Sequence, residues 1–186
     1  MPTHRSADLF RRIGLASSEG GGMSEPGSQD RPEGFRRVTQ ALSDASHPHV
    51  PLWLETTART SQEAADALGV QVGQIAKSVI FRRRSDDVAV LVVTAGDKRV
   101  DEKKVAAIVG ALGRADADFV KARTGFSIGG VSPLAHAQTS VTLIDRELFR
   151  FGEIWAAAGH PKGVFCLSPD QLVALTGAPV VDVVQA

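Results

Sequence analysis

The chain has 186 residues, with 21 basic residues against 21 acidic ones and a formal net charge of zero. That balance argues against bulk, sequence-independent nucleic-acid binding, which needs a strong positive field, but leaves room for a small basic patch on one end of an RNA. A hydrophobic content of 43% and a charged content of 23% are those of a soluble globular protein with one well-buried core, and no window approaches the roughly 18 consecutive apolar residues of a membrane span.

A single cysteine, Cys166, excludes an internal disulfide and a cysteine-based zinc site. With no apolar signal segment at the N-terminus, a reducing cytoplasm is the expected compartment. Cys166, inside V-F-C-L, reads as a small core residue.

Residues 1 to 34 hold six of the 18 glycines and little apolar matter besides Leu9, Phe10, Ile13 and Leu15. They read as a disordered extension with one short amphipathic turn near Asp8, and translation starts at either Met1 or Met23. Residues 35 to 186 read as one domain. F-R-R-V-T-Q-A-L-S-D-A puts Phe35, Val38 and Leu42 on one helical face, and V-P-L-W-L-E is a short strand. A second helix has Thr60 or Ser61 as N-cap, Glu63 near its third position and Gly69 as C-cap.

Ile75 to Phe81 and Val88 to Ala95 form a hairpin across a polar tip, and the nearly unbroken apolar run of the second strand marks it as central. A helix then runs from the N-cap Asp101 to Gly113, followed by a short one over 117 to 123 that ends at Thr124-Gly125. The strands S-V-T-L-I-D, G-E-I-W-A-A-A and G-V-F-C-L follow. A helix with Ser168 as N-cap and Pro169 at its first position and a closing strand P-V-V-D-V end the chain. The order lacks a regular βαβ rhythm, which predicts an α+β fold with a mixed, mostly antiparallel sheet.

Two stretches carry chemistry. Lys77 interrupts the apolar strand Q-I-A-K-S-V-I-F, and a buried ammonium must be paired or lose its proton. An edge-strand lysine turned to solvent, or paired with Asp97 or Asp145, is the plain alternative. T-G-F-S-I-G-G-V-S-P-L-A, residues 124 to 135, contains a G-x-x-x-P loop from Gly129 to Pro133. Its glycines let the backbone approach a ligand, although such a loop is equally a tight turn.

A-A-D-A-L-G-V, Q-I-A-K-S-V-I-F, V-V-T-A-G-D, T-G-F-S-I-G-G-V-S-P-L-A, A-A-A-G-H-P-K-G-V-F and V-V-D-V follow one another in an order that resembles the YbaK and prolyl-tRNA synthetase editing-domain family. The resemblance covers nearly all of residues 35 to 184. It implies a partly closed barrel surrounded by helices, and a free-standing aminoacyl-tRNA deacylase. The reaction implied is hydrolysis of the ester between a wrong small amino acid, alanine-sized with Cys, Ser or Thr as alternatives, and the terminal ribose of tRNA(Pro).

In that family the lysine matched by Lys77 is the hallmark residue, and the loop matched by Gly129 to Pro133 lies beside the aminoacyl group. No side-chain nucleophile acts, and a ribose hydroxyl of the substrate helps to activate water. On this resemblance the Lys77 ammonium and the N–H groups of Gly129 and Gly130 would face the oxyanion. Ile75, Val92 and Ile128 would be pocket walls, with Ser78, Val131, Ser132, Pro133 and His160 as further substrate contacts.

His160 is as readily an ordinary loop histidine, and Ser78 and Ser132 lack a partner base. His136 and Thr139 follow the loop and read equally as caps of the next strand. His47 and His49 suggest a metal but no third ligand is evident, so neither metal nor cofactor is expected. Arg82, Arg83 and Arg84 sit at a hairpin tip beside Asp86 and Asp87 and read as a solvated turn. Lys98, Arg99, Lys103 and Lys104, at a helix start, are the weak candidate for phosphate contact. The expected partners are mischarged tRNA and, transiently, prolyl-tRNA synthetase, with no DNA and no membrane. The rival reading is a non-catalytic aminoacyl- or nucleotide-binding module, or a synthetase-associated regulator.

Overall fold

Helix ends follow the capping chemistry of the sequence. The structure, a computed structural model, describes residues 30–186; the expected turn near Asp8 and the alternative start Met23 lie outside the described residues. Helix α1 (Glu33–Asp44) buries Phe35, Val38 and Leu42 and begins two residues ahead of Phe35. After the short strand β1 (Leu52–Trp53), α2 (Ser61–Leu68) opens on a capping box between Thr60 and Glu63 and stops at Gly69, whose φ of 66° suits glycine.

Strand β2 (Ile75–Arg83) turns into β3 (Ala89–Ala95) through the arginine-rich tip. There Arg82 pairs with Asp87 at 2.6 Å and Arg83 with Asp86 at 2.7 Å, the self-neutralised turn expected from the order of charges. Every residue of β3 is buried, as its unbroken apolar run predicts.

The next helix is shorter than expected. Helix α3 (Glu102–Val109) starts at the N-cap Asp101 and ends at Gly110, whose φ of 99° takes the chain out of helical geometry. Leu112–Arg114 then form β4, a strand missed in the sequence, which pairs with the far end of β2. Helix α4 (Ala117–Thr124), β5 (Val141–Asp145), β6 (Ile154–Ala157), β7 (Gly163–Leu167), α5 (Pro169–Thr176) and β8 (Val180–Val181) complete the chain. Two 3-10 turns, Val72–Gln74 and Arg146–Arg150, were also not foreseen.

The fold is α+β around one mixed, open sheet of order β1-β7-β6-β2-β3-β5-β8, with β4 branching off β2. Antiparallel pairing joins β1–β7, β6–β7, β2–β3 and β2–β4, and parallel pairing joins β2–β6, β3–β5 and β5–β8. The main core packs α1 and α5 onto one side, with Leu91, Val93 and Phe165 meeting Val38, Leu42 and Leu172. Apolar residues outside this core form two separate clusters. One joins α2 to Ile75, Trp155 and Cys166, and the other joins Val105 and Val183 to Phe81, Val90 and Val92. Lys77 lies between Ile75 and Val79 on one face of β2, where these two clusters part.

Buried Asp145 ties the last strands together. Its carboxylate accepts from the Glu147 N–H and the Val183 N–H, both at 2.9 Å. Asp145→Asn turns an amide NH₂ toward one of these donors, and should lower stability by about 1–3 kcal/mol in denaturant titration.

Candidate active site

The site exists because β2 is paired incompletely on one side. Along its length β3 accompanies it, but on the opposite side β6 reaches only Ile75 and Ala76, and β4 only Phe81 to Arg83. Between them, Lys77 to Ile80 have no strand partner on this side among the described residues, and a cleft of about 440 Å³ opens there. Six consecutive β2 residues, Ile75 to Ile80, line it, which alternating side chains on one face cannot do, so the strand presents its backbone edge to the cleft. Small residues, among them Ala58, Ala64, Ala156 and Ala157, keep the walls wide apart.

Lys77 lines this cleft rather than facing bulk solvent. Its Nζ donates to the Lys98 carbonyl, not to Asp97 or Asp145. Burial pulls its pKa below the ordinary 10.5; the Asp97 carboxylate pushes it back up, and the Arg99 guanidinium adds to the lowering. Asp97 is itself held by Arg150 in a two-pronged pair of 2.7 and 3.2 Å, which keeps its carboxyl below the usual range. Among the described residues, three buried side-chain polar atoms lack a partner: Ser78 Oγ, Thr94 Oγ1 and Trp155 Nε1. Ser78 adjoins Lys77, Thr94 is its cross-strand partner, and Trp155 pairs with Ile75 on β6.

The glycine loop meets the same cleft. Ile128, Gly129 and Val131 line it, and Gly129 has a φ of 94° that a side chain would strain. Gly130 does a different job from the one expected. Its N–H donates to the Ser127 carbonyl at 3.0 Å, so this group is committed to the turn and not free for an oxyanion. Its lack of a side chain matters instead, because a Cβ there would lie 2.8 Å from the backbone of His160. Ser132 and Pro133 are buried behind the loop and do not line the cleft. The Ser132 carbonyl accepts from His136 Nε2 at 2.6 Å, while His136 Nδ1 meets the Ser140 hydroxyl at 2.7 Å. His136 is thus a clasp for the loop, and burial lowers its pKa.

His160 lines the cleft next to this loop, stacked on Trp53 with ring centroids 4.8 Å apart. Its Nδ1 accepts from the Lys162 N–H at 3.0 Å, so the proton of the neutral ring sits on Nε2. Burial, Lys162 and Arg59 all lower its pKa, which favours that neutral form.

Ile75 and Ser78 line the cleft as expected, but Val92 does not: its side chain is shut inside the cluster of Phe81, Val90 and Val105. Of the candidate phosphate contacts, Lys98 pairs with Glu147 at 3.5 Å and Lys104 with Asp182 at 3.1 Å, whereas Arg99 and Lys103 are exposed. His47 bonds the Cys166 carbonyl at 2.8 Å, and burial raises the pKa of the Cys166 thiol.

Arg59, Ala64 and Trp155 also line the cleft and are not among the residues expected from the sequence. Arg59 stands beside a recognisable N-cap, but Trp155 looks like any apolar strand residue.

Residues 55–175 match the family model of the aminoacyl-tRNA editing domain. The uncharacterized protein YwhH of Bacillus subtilis strain 168 is 36% identical over 119 residues, which span 63% of this chain and 75% of YwhH. The crystal structure of a candidate trans-editing enzyme for prolyl-tRNA synthetase superposes with a TM-score of 0.78 at 36% identity, covering 84% of this chain and 100% of that one. Hypothetical protein APE2540 superposes with a TM-score of 0.73 at 30% identity, covering 80% and 99%.

Proposed function

Because the chain belongs to the aminoacyl-tRNA editing-domain family, we propose that it is a trans-acting deacylase of mischarged tRNA. Its substrate is the ester joining a small amino acid, alanine-sized with Cys, Ser and Thr in range, to the terminal ribose of tRNA(Pro). The observation that carries this reading is the convergence of Lys77 and Gly129 on one small-walled cleft. A volume of about 440 Å³ suits an aminoacyl group and part of its ribose, not a folded partner.

In this reaction water attacks the ester carbonyl carbon, the carbonyl electrons move onto oxygen, and collapse expels the ribose oxygen, which takes up a proton. Free amino acid and uncharged tRNA result. The Lys77 ammonium faces the negative charge that develops on the carbonyl oxygen or the nearby phosphate. His160, with Nδ1 occupied and Nε2 protonated, serves as a donor to ribose rather than as the base. Activation of water then falls to a ribose hydroxyl of the substrate, as the family resemblance implies.

Cations around the cleft fit a phosphate-bearing substrate. Arg59 lines it, and Arg99 lies close enough to Lys77 to act on its charge. We place this activity in the cytoplasm, in a domain that follows an N-terminal extension of about 34 residues. No helix among the described residues is long and apolar enough to cross a membrane.

The test is a panel of tRNA(Pro) species charged with Ala, Cys, Ser, Thr and Pro, with a second tRNA carrying the same amino acids. The expected result is release of one small amino acid from tRNA(Pro) and sparing of the proline ester. Tight binding without turnover would instead make the chain a binding module.

A further inference from the structure

The exposed edge of β2 has a chemistry of its own. In an antiparallel ladder successive residues direct their N–H and C=O groups to alternate sides. The Arg83 N–H donates to Val88 across the hairpin at 2.9 Å, and the Arg84 N–H donates away from it, to Ala111, also at 2.9 Å. Odd-numbered β2 residues therefore face β3, and even-numbered ones face the β6 and β4 side. Ala76 meets β6 there and Arg82 meets β4; of the two even-numbered residues left in the gap, Ser78 and Ile80, Ser78 is the one next to Lys77. Among the described residues no ladder on this side includes Ser78 and no turn or loop bond uses its N–H or C=O, and the residue lines the cleft.

We propose that the main chain of Ser78 reads the α-aminoacyl group as the next strand residue would be read. Its N–H donates to the ester carbonyl oxygen, and its C=O accepts from the α-ammonium. The inference rests on the deacylase reading above and assigns the oxyanion donor that Gly130 does not supply.

An α-amino acid ester carries one donor and one acceptor on adjacent carbons, the same pair that a strand residue offers across a ladder. During attack the carbonyl oxygen gains the electron pair of its π bond, and the Ser78 N–H is already aimed at it. The contact involves no side chain of the substrate. Size selection is then left to Ala58, Ala64, Ala156 and Ala157, and the α-amine is required whatever the side chain.

Two measurements test this on the full chain. In the first, the Ser78 backbone N–H is replaced by an ester oxygen through introduction of the corresponding α-hydroxy acid. Turnover of the best mischarged tRNA should fall by about 100-fold or more with KM unchanged. The melting temperature should fall only slightly, because this N–H bonds no protein group and the ester merely weakens the Lys77 carbonyl as an acceptor toward β3. In the second, alanyl- and propionyl-tRNA(Pro) are compared with the unmodified protein, each rate divided by the uncatalysed rate of its own ester. The acceleration of the propionyl ester should be about 10- to 100-fold smaller, since a hydrogen bond to a charged group is lost.

Wild-type kcat in a folded backbone-ester protein, or equal acceleration of the two esters, overturns the assignment. Failure of the unmodified protein to hydrolyse any member of the panel overturns the deacylase reading, and this inference falls with it.

Discussion

Lys77→Met should lower kcat/KM for the best mischarged tRNA by about 100-fold or more, yet leave the melting temperature at or above that of the wild type. The two halves of this result have one cause. The lysine is partly buried, and among the described residues its ammonium donates to the Lys98 carbonyl. Methionine keeps the apolar stem among its neighbours and removes the charge that burial penalises.

The pH dependence has a definite sign. With the folded pKa below the ordinary 10.5, the unfolded chain binds more protons between those two values, so stability increases as pH rises through that window. Below the folded pKa the buried ammonium costs stability at every pH. Lys77→Met should abolish this alkaline gain in melting temperature. Activity runs the opposite way. If the ammonium is the working form, the enzymatic rate divided by the uncatalysed rate should decline on the alkaline side with a midpoint below 10.5, as measured by single-turnover release of amino acid. A profile flat to pH 10.5 would remove the Lys77 charge from the chemistry.

Much of the fold could be read because its signals are local. Thr60 with Glu63, Asp101, and Ser168 with Pro169 cap their helices where the residue types require, and the apolar run of β3 announces a strand buried on both faces. That Lys77 and the glycine loop belong at one cleft was suggested by the order of motifs rather than by either motif alone. What remained hidden depends on pairing between distant segments. Leu112–Arg114 looks like the tail of a helix until Gly110 breaks it and β2 offers an edge. That same short strand, with β6 stopping early, creates the gap that exposes Ser78, and no local pattern encodes a gap.

Val92 was misplaced for a related reason. In a strand with both faces buried, alternation does not say which neighbours enclose a given side chain, and only the packing of Val105 and Phe81 around it decides. The roles of Gly130 and Gly159 were equally out of reach, since each is defined by a backbone that passes close by from elsewhere in the chain.

Gly159→Ala should be the most destabilising single substitution near the site. Gly159 has a φ of 83°, in the left-handed region, where alanine is strained by about 1–3 kcal/mol. An added Cβ would also press against the carbonyl of Gly34 in the first turn of α1 and lie 2.9 Å from the Phe126 ring. Overpacking of this kind costs about 1–3 kcal/mol more, so a fall in melting temperature of roughly 10 °C is expected for a chain of this size.

Function should suffer beyond stability, because the residues after Gly159 hold the cleft wall. Pro161 and Lys162 accept backbone N–H bonds from Ala58 and Leu54, both at 2.7 Å, and His160 depends on Lys162 for its orientation. Moving this segment shifts His160, and with it the wall leading to Arg59, while Lys77 on β2 stays in place. KM should therefore rise more than kcat falls.

Gly34→Ala adds bulk from the other side of the same contact. Its cost and that of Gly159→Ala should not sum in the double variant, because once the backbones have parted the second methyl meets a space already opened. Full additivity would mean that the two glycines act separately and that the close approach of α1 does not hold the His160 segment.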